Sequence, residues 1–428
     1  MPDQPTPPDS IGPDSTAASG LLAHGKPLAP FRFPAFRAIW IASLFSNMGS
    51  MVQSVAAAWL MTDLTSSHVL IAMVQASVSL PIMLFGVVAG AIADNYDRRR
   101  VMLVAQVGML LTSAALAAAT FAGAVGPYSL IALTLLVGTG TALNAPAWQA
   151  SVRAQVGPED LPQAISLNTI AFNLARSFGP ALGGLLISFW NVSLAFTLNT
   201  LSYVVLIVVL LRWKPQMAVP RREPMFVSIL AGLRFCASSG PVRKVLLRGL
   251  TVGFGFAAYL ALLPLVVRHQ LGGTEVSYGL LLGVFGIASI ASALFVSPVR
   301  RRLGSEAVIG LSSVSFALGY GALAYSPSLL VAVPSAVLAG AGWVASFTTL
   351  NVAMQVRSPD AILGRCLSIY QAVTFGGLAF GAWIWGALAD LADARTAMLG
   401  AGAFLLVTMV LSRQFAPMPA RHEGRADL

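Results

Sequence analysis

Charged residues are scarce in this 428-residue sequence. They make up 10% of the chain, whereas 57% of it is hydrophobic and the mean hydropathy is +0.78. In a soluble globular protein about 25% of the residues are charged, so a soluble domain is excluded. The apolar runs are unbroken over about twenty residues, whereas a transmembrane β-barrel would show short segments of alternating polarity, so a β-barrel is excluded. The composition therefore predicts an all-α membrane protein.

Cysteine, histidine and catalytic motifs are equally sparse. The two cysteines, Cys236 and Cys366, cannot build a disulfide framework, and neither has the spacing of a metal ligand. The sequence contains no Walker-type phosphate loop and no GxSxG motif. We therefore predict that the chain is not an enzyme, binds no metal and no cofactor, and does not hydrolyse ATP.

The net charge of +10 does not indicate a nucleic-acid partner, because the cations lie in short segments between apolar runs. Of the 26 lysines and arginines, 23 fall in segments predicted to be cytoplasmic, two in outer loops, and one, Arg176, within a span. Such asymmetry predicts a multi-pass protein of the inner (plasma) membrane with both termini in the cytoplasm. Cys236 should accordingly react with membrane-permeant thiol reagents but not with impermeant reagents added outside cells.

Twelve apolar segments are long enough to cross a hydrocarbon core of about 30 Å as helices. Glycines and prolines inside them predict kinks rather than breaks. The approximate limits are residues 37–62, 68–93, 101–124, 128–151, 162–189, 192–211, 246–267, 276–298, 306–326, 328–356, 363–389 and 394–415.

The sequence also repeats itself. The arginine triplet at 98–100 returns at 300–302, and VGPED at 156–160 is echoed by RSPDA at 357–361. Both pairs are separated by about 200 residues, which predicts two pseudo-symmetric six-helix halves. The alternative is that the positive-inside rule alone places arginine triplets after spans. The predicted organisation is a disordered cytoplasmic tail at 1–30, an N-terminal half at 31–211, a basic linker at 212–245, a C-terminal half at 246–415 and a cytoplasmic tail at 416–428.

The segment GAIADNYDRRRVM at 90–102 resembles the GxLaDrxGrk signature of the major facilitator superfamily, with Gly90, Asp94, Arg98 and Arg99 matching. Asp97 stands where most members have glycine, and this variant resembles the branch of enterobactin-type siderophore exporters and multidrug exporters. The four matching residues predict a conformational latch, in which Gly90 allows close helix approach and Asp94 pairs with loop arginines. The alternative is an ordinary solvated turn.

A second segment, ARSFGPALGG at 175–184, resembles the antiporter signature of the fifth span, with Ala175 in place of its first glycine. Gly179, Gly183 and Gly184 have small-residue spacing and Pro180 kinks the helix, which predicts a tightly packed seal between the halves. The resemblance covers about residues 31–415. It implies the major facilitator fold and a secondary transporter that works by alternating access.

Arg176 lies about 14 residues, or about 21 Å, into the helix that begins near Pro162. A charge at that depth costs at least about 2.5 kcal/mol unless it faces a cavity or a partner. We interpret it as a binding group for an acidic part of the substrate. The alternative is an arginine that braces the kink at Pro180.

Polar residues at mid-depth are further candidates for the substrate path, although each is equally able to link helices by hydrogen bonds. In the resembled family the first, fourth, seventh and tenth helices line the path, which favours Asn47, Asn144, Tyr259 and Asn351. The predicted path comprises Asn47, Gln53, Asn144, Gln149, Asn173, Arg176, Tyr259, Asn351 and Gln371.

The sequence thus predicts a monomer in the lipid bilayer that exports a small amphipathic or anionic molecule, of the siderophore or drug class, using an ion gradient. Protons are the usual coupling ion of the resembled exporters. This chain, however, has Leu135 where proton antiporters commonly carry an arginine, so any coupled proton would have to be carried by Asp94, Asp63 or a carboxylate of the substrate. We therefore expect proton coupling to be indirect or modest. Facilitated uptake and a non-transporting scaffold or receptor are the alternatives.

Overall fold

The computed structural model describes residues 26–214, 225–359, 362–415 and 417–418, and every regular element within them is helical. Most of the predicted N-terminal and C-terminal tails, residues 1–25, 416 and 419–428, lie outside the described residues. The helices are α1 Pro34–Leu64, α2 His68–Asn95, α3 Arg98–Phe121, α4 Pro127–Ser151, α5 Leu161–Phe189, α6 Val192–Arg212, α7 Met225–Ser238, α8 Gly240–Leu265, α9 Glu275–Ala324, α10 Leu329–Arg357, α11 Leu363–Leu391 and α12 Ala394–Phe415.

The prediction of an all-α membrane protein is confirmed. Ten helical stretches of the described chain are long and apolar enough to cross a membrane. α1 has 31 residues but is not among these ten, whereas α9 has 50 residues, or about 75 Å at 1.5 Å per residue. The backbone of α9 leaves helical geometry at Gly304, whose φ of 83° favours glycine. This break separates the predicted spans 276–298 and 306–326.

Polar caps explain where three helices begin. Ser67, Asp97 and Asn191 each accept a hydrogen bond from a backbone N–H in the first turn of the helix that follows. The first N–H groups of a helix have no acceptor within the helix, so these short side chains stabilise the starts of α2, α3 and α6. Asp97, which replaces a glycine of the resembled signature, therefore has a local structural role.

The predicted linker at 212–245 contains a helix that the sequence did not indicate. α7 packs against α11, and Gly232 lies beside Arg365. α8 begins at Gly240, within the predicted linker. At the other end of the chain Ala29 and Pro30 are buried, so packed structure extends into the predicted tail at 1–30.

The helices pack in two groups. α1 contacts α5 and α6, α3 contacts α4 and α6, and α2 contacts α4. In the second group α8 contacts α11 and α12, and α9 contacts α10 and α12. The largest interfaces between the groups are those of α2 with α11 and of α5 with α9, here called the α2–α11 seam and the α5–α9 seam.

Candidate functional site

The two ends of the bundle differ in chemistry. The basic end, where α1, α3, α5 and α8 begin, carries the arginines at 98–100, at 153 and at 300–302. At the opposite end, helices of the two groups are joined through charged side chains. We call this the closed end.

Arg268 makes the first connection at the closed end. It lies in the π-helical turn Val266–Gln270 after α8 and forms an ion pair with Asp63 at the end of α1. Its Nη1 also donates a hydrogen bond of 2.8 Å to the Thr62 hydroxyl, and its guanidinium lies 5.4 Å from the centre of the Trp59 ring. Trp59 in turn stacks on Tyr278 of α9. One arginine thus joins both helix groups, and we call this cluster the Arg268 clasp.

Asp390, at the end of α11, makes the second connection. Its carboxylate accepts hydrogen bonds from the Ser67 hydroxyl at 3.0 Å and from the backbone N–H groups of His68 at 2.6 Å and Val69 at 3.1 Å. A carboxylate at a helix N-terminus also complements the positive end of the helix dipole. Asp390 therefore caps α2 from the other helix group, and we call this contact the Asp390 clasp.

The α5–α9 seam is packed very closely near the closed end. A Cβ atom added at Gly184 would stand 2.5 Å from the Glu275 carbonyl oxygen, and one added at Gly279 would collide with the Pro180 carbonyl. Of the four predicted seal residues, Gly184 and Pro180 thus contact α9. Gly179 and Gly183 lie against α1 instead, beside Met51 and Val52.

Towards the basic end, residues on the same faces of α5 and α9 are exposed. On α5, Ser177 and Gly184 contact or approach α9, whereas Ser166 and Ile170, which continue this face at helical spacing, are exposed. On α9 the buried Gly286 is followed along its face by the exposed Ala293. The described α5–α9 contacts therefore end near the middle of both helices.

The α2–α11 seam behaves differently. In the middle of the seam, the position of a Cβ at Gly376 on α11 lies 2.8 Å from the Met83 sulfur of α2. Near the basic end, a Cβ at Gly90 would lie 3.3 Å from the Ser368 hydroxyl of α11. Together with the Asp390 clasp, these contacts follow the seam along its whole length.

Arg176 lies where the α5–α9 contacts end. It is half-buried, and its guanidinium carbon is 5.2 Å from the centre of the Phe285 ring on α9. Within the described chain its guanidinium makes no ion pair and no hydrogen bond. A cation–π contact leaves the N–H donors of arginine available, so Arg176 can bind an anionic group that enters between the helices.

Several predicted path residues are half-buried in the described state, namely Asn47, Asn144, Asn173, Asn351 and Gln371. The Asn144 Oδ1 atom is buried and has no hydrogen-bond partner among the described residues, so it can accept a bond from a ligand. Asn351 accepts a hydrogen bond of 2.6 Å from Gln355, one turn along α10. Gln149 is exposed near the end of α4.

Gln53 is buried between helices. Its Oε1 atom accepts hydrogen bonds from Ser113 of α3 at 2.7 Å and from Asn199 of α6 at 2.6 Å. The Thr200 hydroxyl donates a further hydrogen bond to Ser113, and the Asn199 amide donates one to the Tyr203 hydroxyl. Gln53 therefore links α1, α3 and α6, which is the interhelical alternative that the sequence left open.

Tyr259 is also buried, within a cluster of aromatic rings. Its ring centre lies 5.9 Å from that of Phe285 and 6.4 Å from those of Phe256 and Tyr320. Phe285, which Arg176 contacts, belongs to this cluster. Tyr259 thus supports the ring beneath Arg176 rather than contacting open space.

The arginines of the predicted latch bind helix ends. Arg98 donates a hydrogen bond of 2.9 Å to the Ala150 carbonyl at the end of α4. Arg99 donates bonds of 2.7 Å to the carbonyls of Leu210 and Leu211 at the end of α6. Cations complement the negative ends of helices, so both arginines stabilise the basic end of the first group.

Sequence reasoning missed a buried ion pair. Arg248 of α8 is 2% exposed and donates hydrogen bonds to the Glu306 carboxylate at 2.9 Å and to the Ser412 carbonyl at 3.0 Å. In the sequence Arg248 is one of the cations that the charge asymmetry places at the cytoplasmic side, and no local pattern reveals its partner 58 residues away in α9. Among the described residues, no three His, Cys, Asp or Glu side chains lie close enough together to hold a metal ion.

Comparisons with known proteins identify relatives along nearly the whole chain. The family described as Transmembrane secretion effector matches residues 25–426. The enterobactin exporter EntS of Shigella boydii is 26% identical over 407 residues, which covers 90% of this chain and 94% of that protein. The enterobactin exporter EntS of Salmonella typhi is 25% identical over 401 residues, covering 90% and 95%.

Solved structures share the fold at lower identity. The nucleoside transporter NupG matches with a TM-score of 0.70 and 14% identity, covering 88% of this chain and 98% of that one. An auto-inhibited peptide transporter of the POT family matches with a TM-score of 0.74 and 13% identity, covering 90% and 97%.

Proposed function

This chain belongs to the transmembrane secretion effector family of major facilitator transporters, and on that premise we propose that it exports a small amphipathic or anionic molecule. The substrate would be of the siderophore or drug class, because the relatives include enterobactin exporters. Alternating access would move it, driven by an ion gradient. A secondary transporter of this kind is not an enzyme.

The observation that carries this proposal is the environment of Arg176. A half-buried cation lies at mid-helix, contacts an aromatic ring and has donors that no described residue occupies. Burying an unpaired charge in a membrane protein is costly, so a role in binding is the default interpretation. An acidic group of the substrate would pair with Arg176, while Asn47, Asn144, Asn173, Asn351 and Gln371 would line the path.

We propose twelve spans in two six-helix halves. α1 would supply the first span by its length, and the break at Gly304 would divide α9 into two. The asymmetry of lysines and arginines supports placing the basic end and both termini in the cytoplasm of the inner membrane. Nothing in this arrangement requires more than one copy, so we propose a monomer.

The two clasps and the α5–α9 seam would form the barrier towards the outside. To release substrate, the Arg268 clasp and the close contacts around Gly279 would have to separate. Gly90, Asp94, Arg98 and Arg99 would act on the opposite side as the latch that favours one conformation.

Protons are the coupling ion that we propose. Asp63 in the Arg268 clasp is the titratable group best placed to link proton binding to opening, because protonation would remove its attraction to Arg268. Asp94 and a carboxylate of the substrate are the other groups that could titrate.

Comparing small molecules retained by cells with and without the protein tests the function. Export predicts that at least one amphipathic or anionic compound accumulates in cells that lack the protein. A compound that is depleted in those cells would instead indicate uptake, and no change in any compound would indicate a scaffold. The accumulated compound would then be assayed in proteoliposomes with and without a proton gradient.

A further inference from the structure

A groove at the basic end lies outside the proposed transport path. It is formed by the beginning of α1, the end of α6 and the 3-10 turn Val152–Ala154, and it encloses about 750 Å³. Three cations line it, Arg153, Arg212 and Lys214, and every other lining residue is apolar. The groove therefore combines a positive rim with an apolar interior.

The three cations have no partner among the described residues. Arg153, Arg212 and Lys214 are exposed, and within the described chain none of them makes an ion pair or a side-chain hydrogen bond. None of the described residues that line the groove carries a carboxylate. Like charges that converge without neutralisation create a positive potential, so an anion would lower the free energy of this arrangement.

The apolar part of the groove continues onto the outer surface of the bundle. Ala38, Ile41 and Phe45 follow one exposed face of α1 at helical spacing, and Val205 and Val208 do the same on α6. This face of α1 is opposite to that of Ser43, which accepts a hydrogen bond from Trp148 of α4 inside the bundle. The exposed faces therefore point towards the acyl chains of the membrane.

Trp213 forms the floor between the cations and these apolar faces. It is 7% exposed and packs with Ile39 and Leu210. Because Trp213 follows α6 directly, it fixes Arg212 and Lys214 on its two sides at the membrane boundary. Tryptophan and basic residues together are typical of the interface between lipid headgroups and acyl chains.

We propose that this groove binds the phosphate headgroup of an anionic phospholipid, with the acyl chains lying along α1 and α6. Arg153, Arg212 and Lys214 bind the phosphate, and the exposed faces of α1 and α6 contact the chains. A free phosphate uses neither the apolar wall nor the volume of the groove, which favours a lipid. The site does not depend on which molecule the protein transports.

Lipid titration of the purified full-length protein tests this site. Binding of fluorescent phosphatidylglycerol is measured in neutral detergent for the wild type and for the triple variant Arg153→Gln, Arg212→Gln, Lys214→Gln. We expect the triple variant to bind at least about tenfold more weakly, because each surface cation contributes measurably to binding an anionic lipid. Unlabelled phosphatidylglycerol should compete, and phosphatidylcholine should not.

A matched control removes the same charge from the same end of the bundle. The variant Arg243→Gln, Arg301→Gln, Arg302→Gln changes three exposed arginines outside the groove, and its affinity should equal that of the wild type. A conservative triple variant with lysine at 153 and 212 and arginine at 214 should retain most of the affinity. Ala38→Trp, which keeps the charge but fills the apolar entrance, should weaken binding.

Three results would overturn the proposal. The first is that the triple glutamine variant of the groove binds the lipid like the wild type. The second is that the control variant loses as much affinity as the triple glutamine variant of the groove. Alternatively, inorganic phosphate at low millimolar concentration would displace the lipid completely, which would assign the cations to a free anion instead.

Discussion

The two seams that join the helix groups are built differently. The α2–α11 seam has the Asp390 clasp at the closed end, the contact of Met83 with Gly376 in the middle and the approach of Gly90 to Ser368 near the basic end. The α5–α9 seam is closely packed around Gly279 but ends near Arg176. One seam is continuous, whereas the other is joined over only part of its length.

This difference indicates which seam is easier to change. Separating α2 from α11 breaks contacts at three levels, while the close contacts between α5 and α9 at Gly184, Gly279 and Gly286 lie between the closed end and the middle of both helices. Arg176 lies at the point where that seam opens, so an anionic group that enters between α5 and α9 meets its guanidinium first. We therefore propose that substrate enters at the α5–α9 seam and that the α2–α11 seam aligns the two helix groups.

Among changes to the two seams, the largest effect is expected from overpacking the α5–α9 seam. Gly279→Leu would place a side chain against the Pro180 carbonyl, and overpacking of this kind costs about 1–3 kcal/mol. We expect transport in proteoliposomes to fall by about tenfold or more. Gly321→Leu on the same helix is the control, because a Cβ there meets nothing within 4 Å. Equal transport by the two variants would contradict a closed seam at Gly279.

A smaller effect is expected at the α2–α11 seam. Asp390→Ala removes three hydrogen bonds to the start of α2, and losing a helix cap costs about 1 kcal/mol, so we expect transport to fall about fivefold. Asp393→Ala is the matched control, since Asp393 accepts a hydrogen bond from Thr396 within its own helix group. If Asp393→Ala reduced transport as much as Asp390→Ala, the connection between the groups would have no special role.

Local patterns in the sequence predicted the helices, but partners across the bundle could not be predicted. The predicted span 394–415 coincides with α12, and 192–211 nearly coincides with α6, because length and apolarity are properties of one segment. Asp390 caps a helix more than 300 residues away, and Arg248 pairs with Glu306 in another helix. Such contacts depend on which helices become neighbours, which no local pattern records.

The substrate path illustrates the same limit at single residues. Gln53 and Asn173 are both polar residues within apolar helices and look alike in sequence. The Oε1 atom of Gln53 accepts hydrogen bonds from two other helices, whereas Asn173 is half-buried on the α5 face that also carries Ser166 and Ile170. Only the direction of each side chain in the bundle distinguishes a residue that links helices from a residue that is a candidate contact with the substrate.

The latch at the basic end should have a weaker effect than either seam. Asp94→Asn keeps the size of the side chain and removes its charge, and an exposed charge contributes at most about 1 kcal/mol, so transport should slow about two- to fivefold. Asp97→Asn is the control, because asparagine also caps helices well and should leave α3 and transport unchanged. Normal transport by Asp94→Asn at equal expression would identify Asp94 as an ordinary turn residue.

Topology can be tested without changing transport. Cys236 is a poor probe, because it is buried, and burial together with the nearby Cys366 raises the pKa of its thiol to about 12. Only the thiolate reacts, so Cys236 should label slowly at neutral pH and hardly faster at pH 9. The sidedness of labelling predicted for Cys236 would therefore be hard to measure at Cys236 itself.

The exposed Ser238 offers a better probe in the same helix. Ser238→Cys, in a chain with Cys236→Ala and Cys366→Ala, should react rapidly with a membrane-permeant reagent and faster still at pH 9. An impermeant reagent outside intact cells should not label it. Rapid labelling from outside would reverse the proposed orientation.

Transport of an anionic substrate and of its neutral ester by Arg176 variants tests whether Arg176 binds the acidic group of the substrate. In proteoliposomes, Arg176→Lys should retain part of the transport of the anion, because the charge remains, and Arg176→Ala should abolish it. Transport of the ester, and the melting temperature of the protein, should change little in both variants. Full transport of the anion by a well-folded Arg176→Ala protein would contradict the claim and leave Arg176 as a brace beside Pro180.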